Sequence, residues 1–166
     1  MHAARAIAPA AHELDERNLR GAFGRFATGV AFVTAEVDGT PLGLIVSSFA
    51  AVSLRPPLVS FCAARDSLTW RRMRTAGGFA VNVLAAGHGE FARRAAAPDA
   101  DRFAEPDVLR DALAVIDCEL EAEHPGGDHS IVIGRVRRLR VCRDGRPLVY
   151  FAGRFGAFHP HDQEIA

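Results

Sequence analysis

The segment Gly43–Val59, GLIVSSFAAVSLRPPLV, combines an apolar run, several hydroxyls and a pair of prolines. The run opens with a small residue, Gly43, and the hydroxyls follow on a stretch that is prone to form β-structure. We expect the β-prone stretch to stop at Pro56-Pro57, because proline can continue neither a strand ladder nor a helix. The hydroxyls are those of Ser47, Ser48 and Ser53. Buried hydroxyls need hydrogen-bond partners, so the segment suits either a flat polar ligand along a sheet edge or an ordinary edge strand with solvated serines.

Length and composition predict a single globular domain. The chain has 166 residues, of which 49% are hydrophobic and 24% charged, which is enough apolar material for a core. Its formal net charge is zero, so no global field attracts nucleic acid or a membrane, and we expect neither as a partner. No apolar run is long enough to span a bilayer. We expect residues 1–13 to be a flexible lead without a signal peptide, residues 14–158 the domain, and residues 159–166 a polar tail.

The cysteines and the basic residues both limit the chemistry. Cys62, Cys118 and Cys142 are widely spaced and odd in number, so they predict neither a disulfide framework nor a zinc site, and we expect a reduced, cytoplasmic protein. All twenty basic side chains are arginine. This excludes a Schiff-base lysine, a P-loop lysine and a lysine general base. An anionic ligand must therefore be held by arginine, hydroxyls or backbone N–H groups.

Four segments have helical patterns. The first, Leu14–Ala27, places three apolar side chains on one face, and Thr28-Gly29 is expected to end it. The others are Leu68–Thr75, a piece around Glu90–Ala96 and a piece over Val108–Leu113. We expect Phe91 and Phe103 to pin the Ala-rich region that contains the last two.

Seven further segments read as short strands. They are Val30–Val37, Leu42–Ser47, Leu58–Ala64, Phe79–Leu84, Ala114–Glu123, Ser130–Val141 and Leu148–Phe151. Asp38-Gly39 is a hairpin turn signal, and Gly134 is a candidate for a β-bulge. Because the strands are many, short and joined by tight turns, the sequence predicts a mainly β fold with flanking helices, an antiparallel barrel. No G-x-G-x-x-G follows a strand, which argues against a Rossmann dinucleotide site.

The segment Arg65–Arg72 has the residue types of a phosphate site. Ser67 is a good N-cap, and a helix N-terminus offers free N–H groups and a positive dipole end. The hydroxyl of Thr69 and a nearby arginine, Arg71 or Arg72, complete a cradle that needs no lysine. A plain capped surface helix with a basic face explains the same residues.

Two further polar residues stand in or beside predicted strands. His129, in Gly127-Asp128-His129, is either a turn residue or a group that donates, accepts or carries charge near neutral pH. Asn82 interrupts an apolar strand and is either outward-facing or satisfied by a ligand or the backbone. Arg137, Arg138 and Arg140 favour a solvated face over a nucleic-acid patch, because aromatic residues are not interleaved with them. The histidines have no metal-binding spacing, so we expect no metal site.

An ordered set of short motifs in this chain resembles the short-chain flavin reductase family, the reductase components of two-component flavin-dependent monooxygenases. The resemblance runs from about Leu19 to Phe158. Its first half rests on Phe26-Ala27-Thr28-Gly29-Val30, Val46-Ser47-Ser48-Phe49, Val52-Ser53-Leu54, Pro56-Pro57-Leu58-Val59, and Ser67 with Thr69. Its second half rests on Phe79-Ala80-Val81-Asn82-Val83-Leu84, Asp101-Arg102-Phe103, Gly127-Asp128-His129, Ile133-Gly134-Arg135-Val136, Pro147-Leu148-Val149-Tyr150-Phe151 and Gly153-Arg154-Phe155.

The resemblance implies an antiparallel split β-barrel of the FMN-binding type that binds FMN or FAD, usually as a homodimer. It implies that Val46, Ser47 and Ser48 face the isoalloxazine ring, and that Ser53 belongs to the same wall. By the same analogy Ser67 and Thr69 hold the flavin phosphate, and Asn82 lies near the ribityl chain or ring. His129, the catalytic candidate, sits by the nicotinamide and helps to position NADH or NADPH. Two residues depart from the family pattern. Arg55 replaces a common acidic residue, and Phe155 stands where tyrosine is common and bears on how the ring or the nicotinamide is covered.

The resemblance thus implies an NAD(P)H:flavin oxidoreductase that supplies reduced flavin to a separate monooxygenase. Hydride transfer to flavin is the cofactor's own chemistry, and the protein supplies stacking, orientation and electrostatics. A chain without lysine or a catalytic triad suits such a reaction. The alternative is a non-catalytic flavin- or haem-binding protein on the same barrel, and flavin reduction by a pyridine nucleotide distinguishes the two.

Overall fold

Strands dominate the part of the chain that the structure describes. The computed structural model describes residues 13–97, 100–105 and 107–160, so the lead and tail expected at the two ends lie almost entirely outside it. The helices are α1 (Glu16–Phe23), α2 (Leu68–Met73), α3 (Gly89–Ala95) and α4 (Asp107–Arg110), with 3₁₀ turns at Arg74–Ala76 and Ala86–His88. The strands are β1 (Thr28–Gly29), β2 (Ala31–Val37), β3 (Thr40–Val46), β4 (Ala50–Leu54), β5 (Pro57–Ala64), β6 (Gly78–Val83), β7 (Ala114–Gly126), β8 (His129–Val141), β9 (Leu148–Phe151) and β10 (Arg154–Ala157).

The main sheet has seven antiparallel strands in the order β3-β2-β6-β7-β8-β5-β4. Its two edge strands, β3 and β4, are consecutive in sequence and are joined only by residues 47–49. Such a linker spans at most about 14 Å, so the sheet must curl until its edges meet. Within the described residues no ladder pairs β3 with β4, and the barrel stays split along this seam. The predicted mainly β, antiparallel fold is confirmed.

A second, three-stranded sheet in the order β1-β9-β10 lies beside the barrel. Here the prediction for Thr28-Gly29 is wrong, because these residues do not end a helix. They form β1, opposite Tyr150 and Val149 of β9. The first helix is also shorter than predicted: Asp15 caps it by accepting from the backbone N–H of Asn18 at 2.7 Å, and it ends at Phe23 with Gly24 as its C-cap.

Gly43, on strand β3, makes room for a core aromatic ring. It is buried, and a Cβ at this position would lie 2.3 Å from the ring of Phe32. The glycine therefore lets a core aromatic ring pack against the β3 backbone. Phe32 is fully buried and contacts the ring of Phe91 edge-on at 5.3 Å and that of Phe103 at 5.6 Å. Each such pair stabilises the fold by about 0.5–1.5 kcal/mol beyond area burial. The predicted anchoring by Phe91 and Phe103 is confirmed.

The long ribbon of β7 and β8 is irregular near Gly134, the residue predicted as a candidate for a β-bulge. The register shifts between Asp117 and Cys118, and again between Leu120 and Ala122, whose partner strand contains Gly134. A Cβ on Gly134 would lie 2.5 Å from the Phe79 ring, so this glycine also admits an aromatic side chain.

The outer face of the same ribbon is lined by ion pairs. Arginines of β8 pair with acidic residues of β7: Arg135 with Glu121, Arg137 with Glu119, and Arg138 with Asp117. This confirms the expected solvated face at Arg137 and Arg138.

Candidate functional site

The carboxyl end of β5 brings together three of the predicted site residues. Ala64, the last residue of β5, lies opposite His129 at the start of β8. Three residues later, the backbone N–H of Ser67 donates to the Ala64 carbonyl at 3.1 Å. On the other side, the hydroxyl of Ser48 accepts from the backbone N–H of Cys62 at 2.8 Å and donates to the Cys62 carbonyl at 3.4 Å. Three separate stretches of sequence therefore converge here.

We call the adjoining space the histidine cleft. Its volume is about 590 Å³, and it lies between α1 and the ends of β5, β7 and β8. It is lined by Glu16, Leu19, Arg20, Phe23, Cys62, Gly126, Asp128 and His129. The His129 side chain is 45% exposed, so it is open to a ligand.

The ring of His129 is oriented by its neighbour. Its Nδ1 lies 2.8 Å from Oδ1 of Asp128, and this hydrogen bond holds the pKa of the Asp128 carboxyl below its ordinary value. A carboxylate partner keeps a proton on Nδ1. The Nε2 of a neutral ring is then left as an acceptor.

The predicted phosphate cradle lies at the start of α2. Ser67 is the N-cap, with its Oγ accepting from the backbone N–H of Trp70 at 3.1 Å. The cap uses the oxygen as an acceptor, so the hydroxyl hydrogen is not consumed by it. Thr69 is half-buried on the same turn. Arg71 is turned back onto the chain and donates to the carbonyl of Arg65 from both Nε and Nη2.

Glu123 anchors the opposite side of α2. Its carboxylate accepts from Nε1 of Trp70 at 3.3 Å and pairs with Arg74 at 3.6 Å. Hydrogen bonds from Ser130, Trp70 and Arg74 hold the pKa of this carboxyl below its usual value, against the opposing effect of burial. The helix that carries the cradle is thus held in place by contacts inside the chain.

A second and larger cavity, the arginine cleft, lies between the small sheet and α3. Its volume is about 740 Å³. It is lined by Val30, Ile45, Ser47, Arg93, Ala96, Tyr150, Gly153, Arg154 and Phe155. Two of the predicted residues, Ser47 and Phe155, are therefore here and not in the histidine cleft. The Phe155 ring lies 5.2 Å from that of Tyr150, and the guanidinium of Arg93 lies over it at 6.0 Å.

Helix α3 positions Arg93 through its helical spacing. Gly89, Arg93 and Ala96 follow at intervals of four and three, so they share one face. A Cβ on Gly89 would lie 3.6 Å from Cβ of Phe155, which shows how closely this face approaches the small sheet. Just before the helix, His88 accepts through Nδ1 from the backbone N–H of Ala85 at 3.2 Å. Burial, and secondarily Arg143, lower the pKa of His88 and favour the neutral ring.

The remaining predicted residues are engaged within the chain. Val46 is buried in the core, so only its backbone is available to a ligand. The hydroxyl of Ser53 accepts from the backbone N–H of Arg55 at 3.2 Å. Asn82 is 4% exposed, and its amide nitrogen donates to the Phe32 carbonyl at 2.9 Å and to Oγ1 of Thr34 at 3.2 Å. Their ligand contacts stay predictions, and the structure gives each a local role.

Sequence reasoning missed three residues that line the clefts. Arg154 was present in the Gly153-Arg154-Phe155 motif, but only its neighbour was assigned a role. Cys62 was considered only as a possible disulfide or zinc residue, although it lines the histidine cleft. Arg93 lies in an Ala- and Arg-rich stretch that has no distinguishing signal.

The described residues form neither a metal-binding cluster nor a helix suited to a membrane. No group of three or more histidine, cysteine, aspartate or glutamate side chains is arranged there to hold a metal ion. None of the helices in the described ranges has the length and apolar character to cross a membrane.

Comparison with known proteins identifies a family. The model of the family described as "Flavin reductase like domain" matches residues 23–159. The chain is 41% identical over 162 residues to the reductase subunit HsaB of a flavin-dependent monooxygenase from Rhodococcus jostii (strain RHA1), covering 92% of this chain and 83% of that protein. It is 39% identical over 152 residues to the FMN reductase (NADH) SmoA from Agrobacterium fabrum (strain C58 / ATCC 33970), covering 87% of each.

Solved structures of flavin reductases resemble this chain in fold as well as in sequence. The NADH:FAD oxidoreductase SgcE6 from Streptomyces globisporus C-1027, in complex with NAD and FAD fragments, superimposes with a TM-score of 0.84. It is 33% identical in sequence, and the match covers 93% of this chain and 99% of that one.

Proposed function

The chain belongs to the flavin reductase-like domain family, and on that premise we propose that it transfers hydride from NADH or NADPH to FMN or FAD. The reduced flavin then passes to a separate flavin-dependent monooxygenase. The relatives named as reductase subunits or reductases support this assignment. We assign the activity to the split barrel within residues 14–158.

One observation in the structure carries the proposal: Ser48, Ser67 and His129 meet around the end of β5, although they are far apart in sequence. The same arrangement leaves one face of His129 open in a cleft of about 590 Å³. Ligand sites are typically concave spaces of this size, with a few convergent polar groups.

The residues around β5 fit a flavin by the chemistry of their donors. Hydroxyls of Ser67 and Thr69 at a helix start suit a phosphate, and the backbone of Val46–Ser48 at the open seam suits the polar edge of a flat ring. We propose that Ser53 belongs to the same wall. Asn82 supports the neighbouring strand β2 from inside by donating to the Phe32 carbonyl and to Oγ1 of Thr34. The flavin, when bound, accepts the hydride and supplies the redox chemistry.

The protein's own part is binding and orientation. Asp128 fixes the proton on Nδ1 of His129, so that Nε2 can accept from the carboxamide of the nicotinamide. Ser48 holds the seam in place through Cys62, and Phe155 covers the ligand from the side of the arginine cleft. No side chain needs to act as a nucleophile.

We also propose that the chain works as a homodimer. Helix α1 has no buried residue, and on and just after it Phe23 and Phe26 are 71% and 78% exposed. On the edge strand β4, Leu54 is 89% exposed. Large apolar side chains exposed to this degree are typical of protein interfaces. A second copy that covers α1 would also enclose the histidine cleft, which α1 borders.

We assign the protein to the cytoplasm, where pyridine nucleotides and a reducing environment are available. Its three cysteines are all free thiols, and burial raises the pKa of Cys118 to about 11. Thiols that stay reduced are typical of that compartment.

The test is anaerobic mixing of purified protein with excess FMN and NADH while the flavin absorbance is followed. FAD and NADPH are run in parallel to rank the acceptors and donors. We expect rapid bleaching of flavin in large molar excess over protein. Flavin that binds but stays oxidised with both donors would contradict the proposal and leave a non-catalytic flavin carrier.

A further inference from the structure

Glu123, on strand β7, ties helix α2 to the barrel through contacts that the proposed function does not use. We propose that Glu123 is a positioning residue, which acts through Trp70 to hold the Ser67 hydroxyl where it binds the flavin phosphate. The inference rests on the proposed function, because the phosphate assignment of Ser67 belongs to it. The new element is an acidic side chain on the opposite side of the helix, which no motif of the sequence singled out.

Trp70 connects Glu123 to Ser67 directly. Its backbone N–H donates to Oγ of Ser67 at 3.1 Å, and its indole Nε1 donates to Oε1 of Glu123 at 3.3 Å. One residue is therefore bonded to the cap by its backbone and to the carboxylate by its side chain. A displacement of the indole moves the N–H that orients the Ser67 hydroxyl.

The indole needs the acceptor that Glu123 supplies. Trp70 is 2% exposed, and its ring packs edge-on against those of Phe61 at 5.3 Å and Phe79 at 6.5 Å. These contacts bury the ring but offer its N–H no acceptor, and a buried indole N–H normally has one. Because a hydrogen bond to an ionised carboxylate is stronger than one to a neutral group, Glu123 fixes the ring more firmly than an amide would.

The carboxylate of Glu123 contacts α2 at two separate points. Oε1 accepts from Trp70 in the first turn, while Oε2 lies 3.6 Å from Nη1 of Arg74, the C-cap residue. The hydrogen bonds to this carboxylate hold its pKa below the ordinary value, so it is ionised at neutral pH. Two contacts at opposite ends of a short helix resist its rotation better than one.

Packing alone does not fix α2 on this side. A cavity of about 220 Å³ lies between the helix, the end of β7 and the start of β8. It is lined by Arg65, Trp70, Arg71, Arg74, Glu123 and Ser130. A cavity lacks the close contacts that hold a helix against a sheet, so the orientation of α2 here depends on the polar bonds across it.

The other acidic residues of β7 are arranged differently. Asp117, Glu119 and Glu121 each pair with an arginine of β8 on the outer face of the ribbon. Pairs on a solvated face contribute little to stability or position. Glu121 is therefore a matched control for Glu123, because it lies two residues away on the same strand, has an arginine partner and lines neither cleft.

The experiment compares Glu123→Gln and Glu121→Gln with the wild-type protein. Glutamine keeps the size of glutamate, but its terminal nitrogen is a donor and cannot accept from Arg74. Calorimetry measures the binding of oxidised FMN and of riboflavin without a hydride donor, and urea denaturation measures stability. Each substitution is also combined with Ser67→Ala in a double-mutant cycle.

We expect Glu123→Gln to raise the Kd for FMN about threefold and to leave that for riboflavin unchanged, because riboflavin has no phosphate. Glu121→Gln should bind both flavins as wild type does. In the Ser67→Ala background, Glu123→Gln should cause almost no further loss of FMN affinity, since the hydroxyl that it positions is gone. Trp70→Phe, which keeps a ring but lacks the N–H, should also weaken FMN and spare riboflavin.

Three results would overturn the inference: an unchanged FMN affinity in Glu123→Gln, an equal loss for FMN and riboflavin, or a full additional loss in the Ser67→Ala background. Each would leave Glu123 as a residue that only stabilises the fold. Wild-type protein that binds FMN no more tightly than riboflavin would overturn it too, because there would be no phosphate contribution to position. If wild type binds FMN but reduces no flavin with NADH or NADPH, the proposed function fails, and the binding comparison still decides the role of Glu123.

Discussion

The two clefts on either side of the Ser47-Ser48 linker differ in how their polar groups are satisfied. Around the histidine cleft the groups are bonded to one another: Ser48 to Cys62, His129 to Asp128, and Ser67 to the start of α2. In the arginine cleft, Arg93 and Arg154 have no ion-pair partner within the described ranges. The first cleft is preorganised by the chain, whereas the arginines of the second are not held by ion pairs among the described residues.

Because of this difference, we expect substitutions in the first cleft to affect folding stability and substitutions in the second to affect ligand affinity. A preorganised site loses little conformational freedom when it binds, and its residues contribute to folding as well as to function. A site with uncommitted cations contributes little to folding, and its residues act mainly through affinity. Substitutions in the two clefts should therefore separate into stability effects and binding effects.

The largest contrast is expected between two adjacent serines. Ser48→Ala removes both hydrogen bonds to the Cys62 backbone, which are exposed to solvent, so the free energy of unfolding should fall by about 0.5–1.5 kcal/mol. Ser47→Ala removes a hydroxyl that lines the arginine cleft without a bond of this kind, and should change stability by less than about 0.5 kcal/mol. Urea denaturation measures both. Equal costs for the two variants would remove the proposed difference between the clefts.

The next effect concerns the donor. If the imidazole orients the nicotinamide as proposed, His129→Ala should raise the KM for NAD(P)H about tenfold and change flavin affinity by much less. Steady-state kinetics with varied donor, and equilibrium binding of FMN, separate the two effects. His159→Ala, which lines neither cleft, is the control. An unchanged KM for the donor would exclude His129 from the site.

A smaller effect is expected at the phosphate cradle. Ser67→Ala removes the N-cap of α2, which costs about 1 kcal/mol of stability, and should weaken FMN binding about fivefold. Riboflavin binding should be unaffected, because riboflavin has no phosphate. Ser67→Thr keeps the hydroxyl and should restore most of the FMN affinity. If FMN and riboflavin weaken equally, Ser67 does not bind the phosphate.

The sequence predicted the strands well, because alternation and turn residues are local signals. Asp38-Gly39, for example, forms the expected turn with φ values of 52° and 72°. Strands β1, β4 and β10 were not predicted as separate elements. They are short or largely exposed, so little hydrophobic patterning marks them.

The candidate site was only partly predictable, because only some of its residues leave a local pattern in the sequence. Ser67 and His129 were recognisable because capping and a Gly-Asp-His turn leave a local pattern in the sequence. The division of Ser47 and Ser48 between two clefts depends on where the curled sheet brings β5, and no local pattern records this. Arg93 could not be distinguished from Arg94 by sequence. Only the packing of α3 on the small sheet assigns one to the cleft and the other to surface ion pairs.

The smallest predicted effect tests whether the arginine cleft can be stabilised independently of the histidine cleft. Ala152 has a φ of 48° in the turn between β9 and β10, which presents Arg154 and Phe155 to that cleft. Alanine is strained in this left-handed region, whereas asparagine tolerates it. Ala152→Asn should therefore stabilise the fold by about 0.5 kcal/mol in urea denaturation.

A matched control exists in the other hairpin turn. Asp38 has a similar φ of 52° but already tolerates it, so Asp38→Asn should change stability very little. The stabilised Ala152→Asn variant should retain the wild-type KM for NADH, because the backbone bond from its N–H to the Gly24 carbonyl, at 2.8 Å, is untouched. A loss of stability, or an equal gain at Asp38, would show that the strain at Ala152 is not what limits this hairpin.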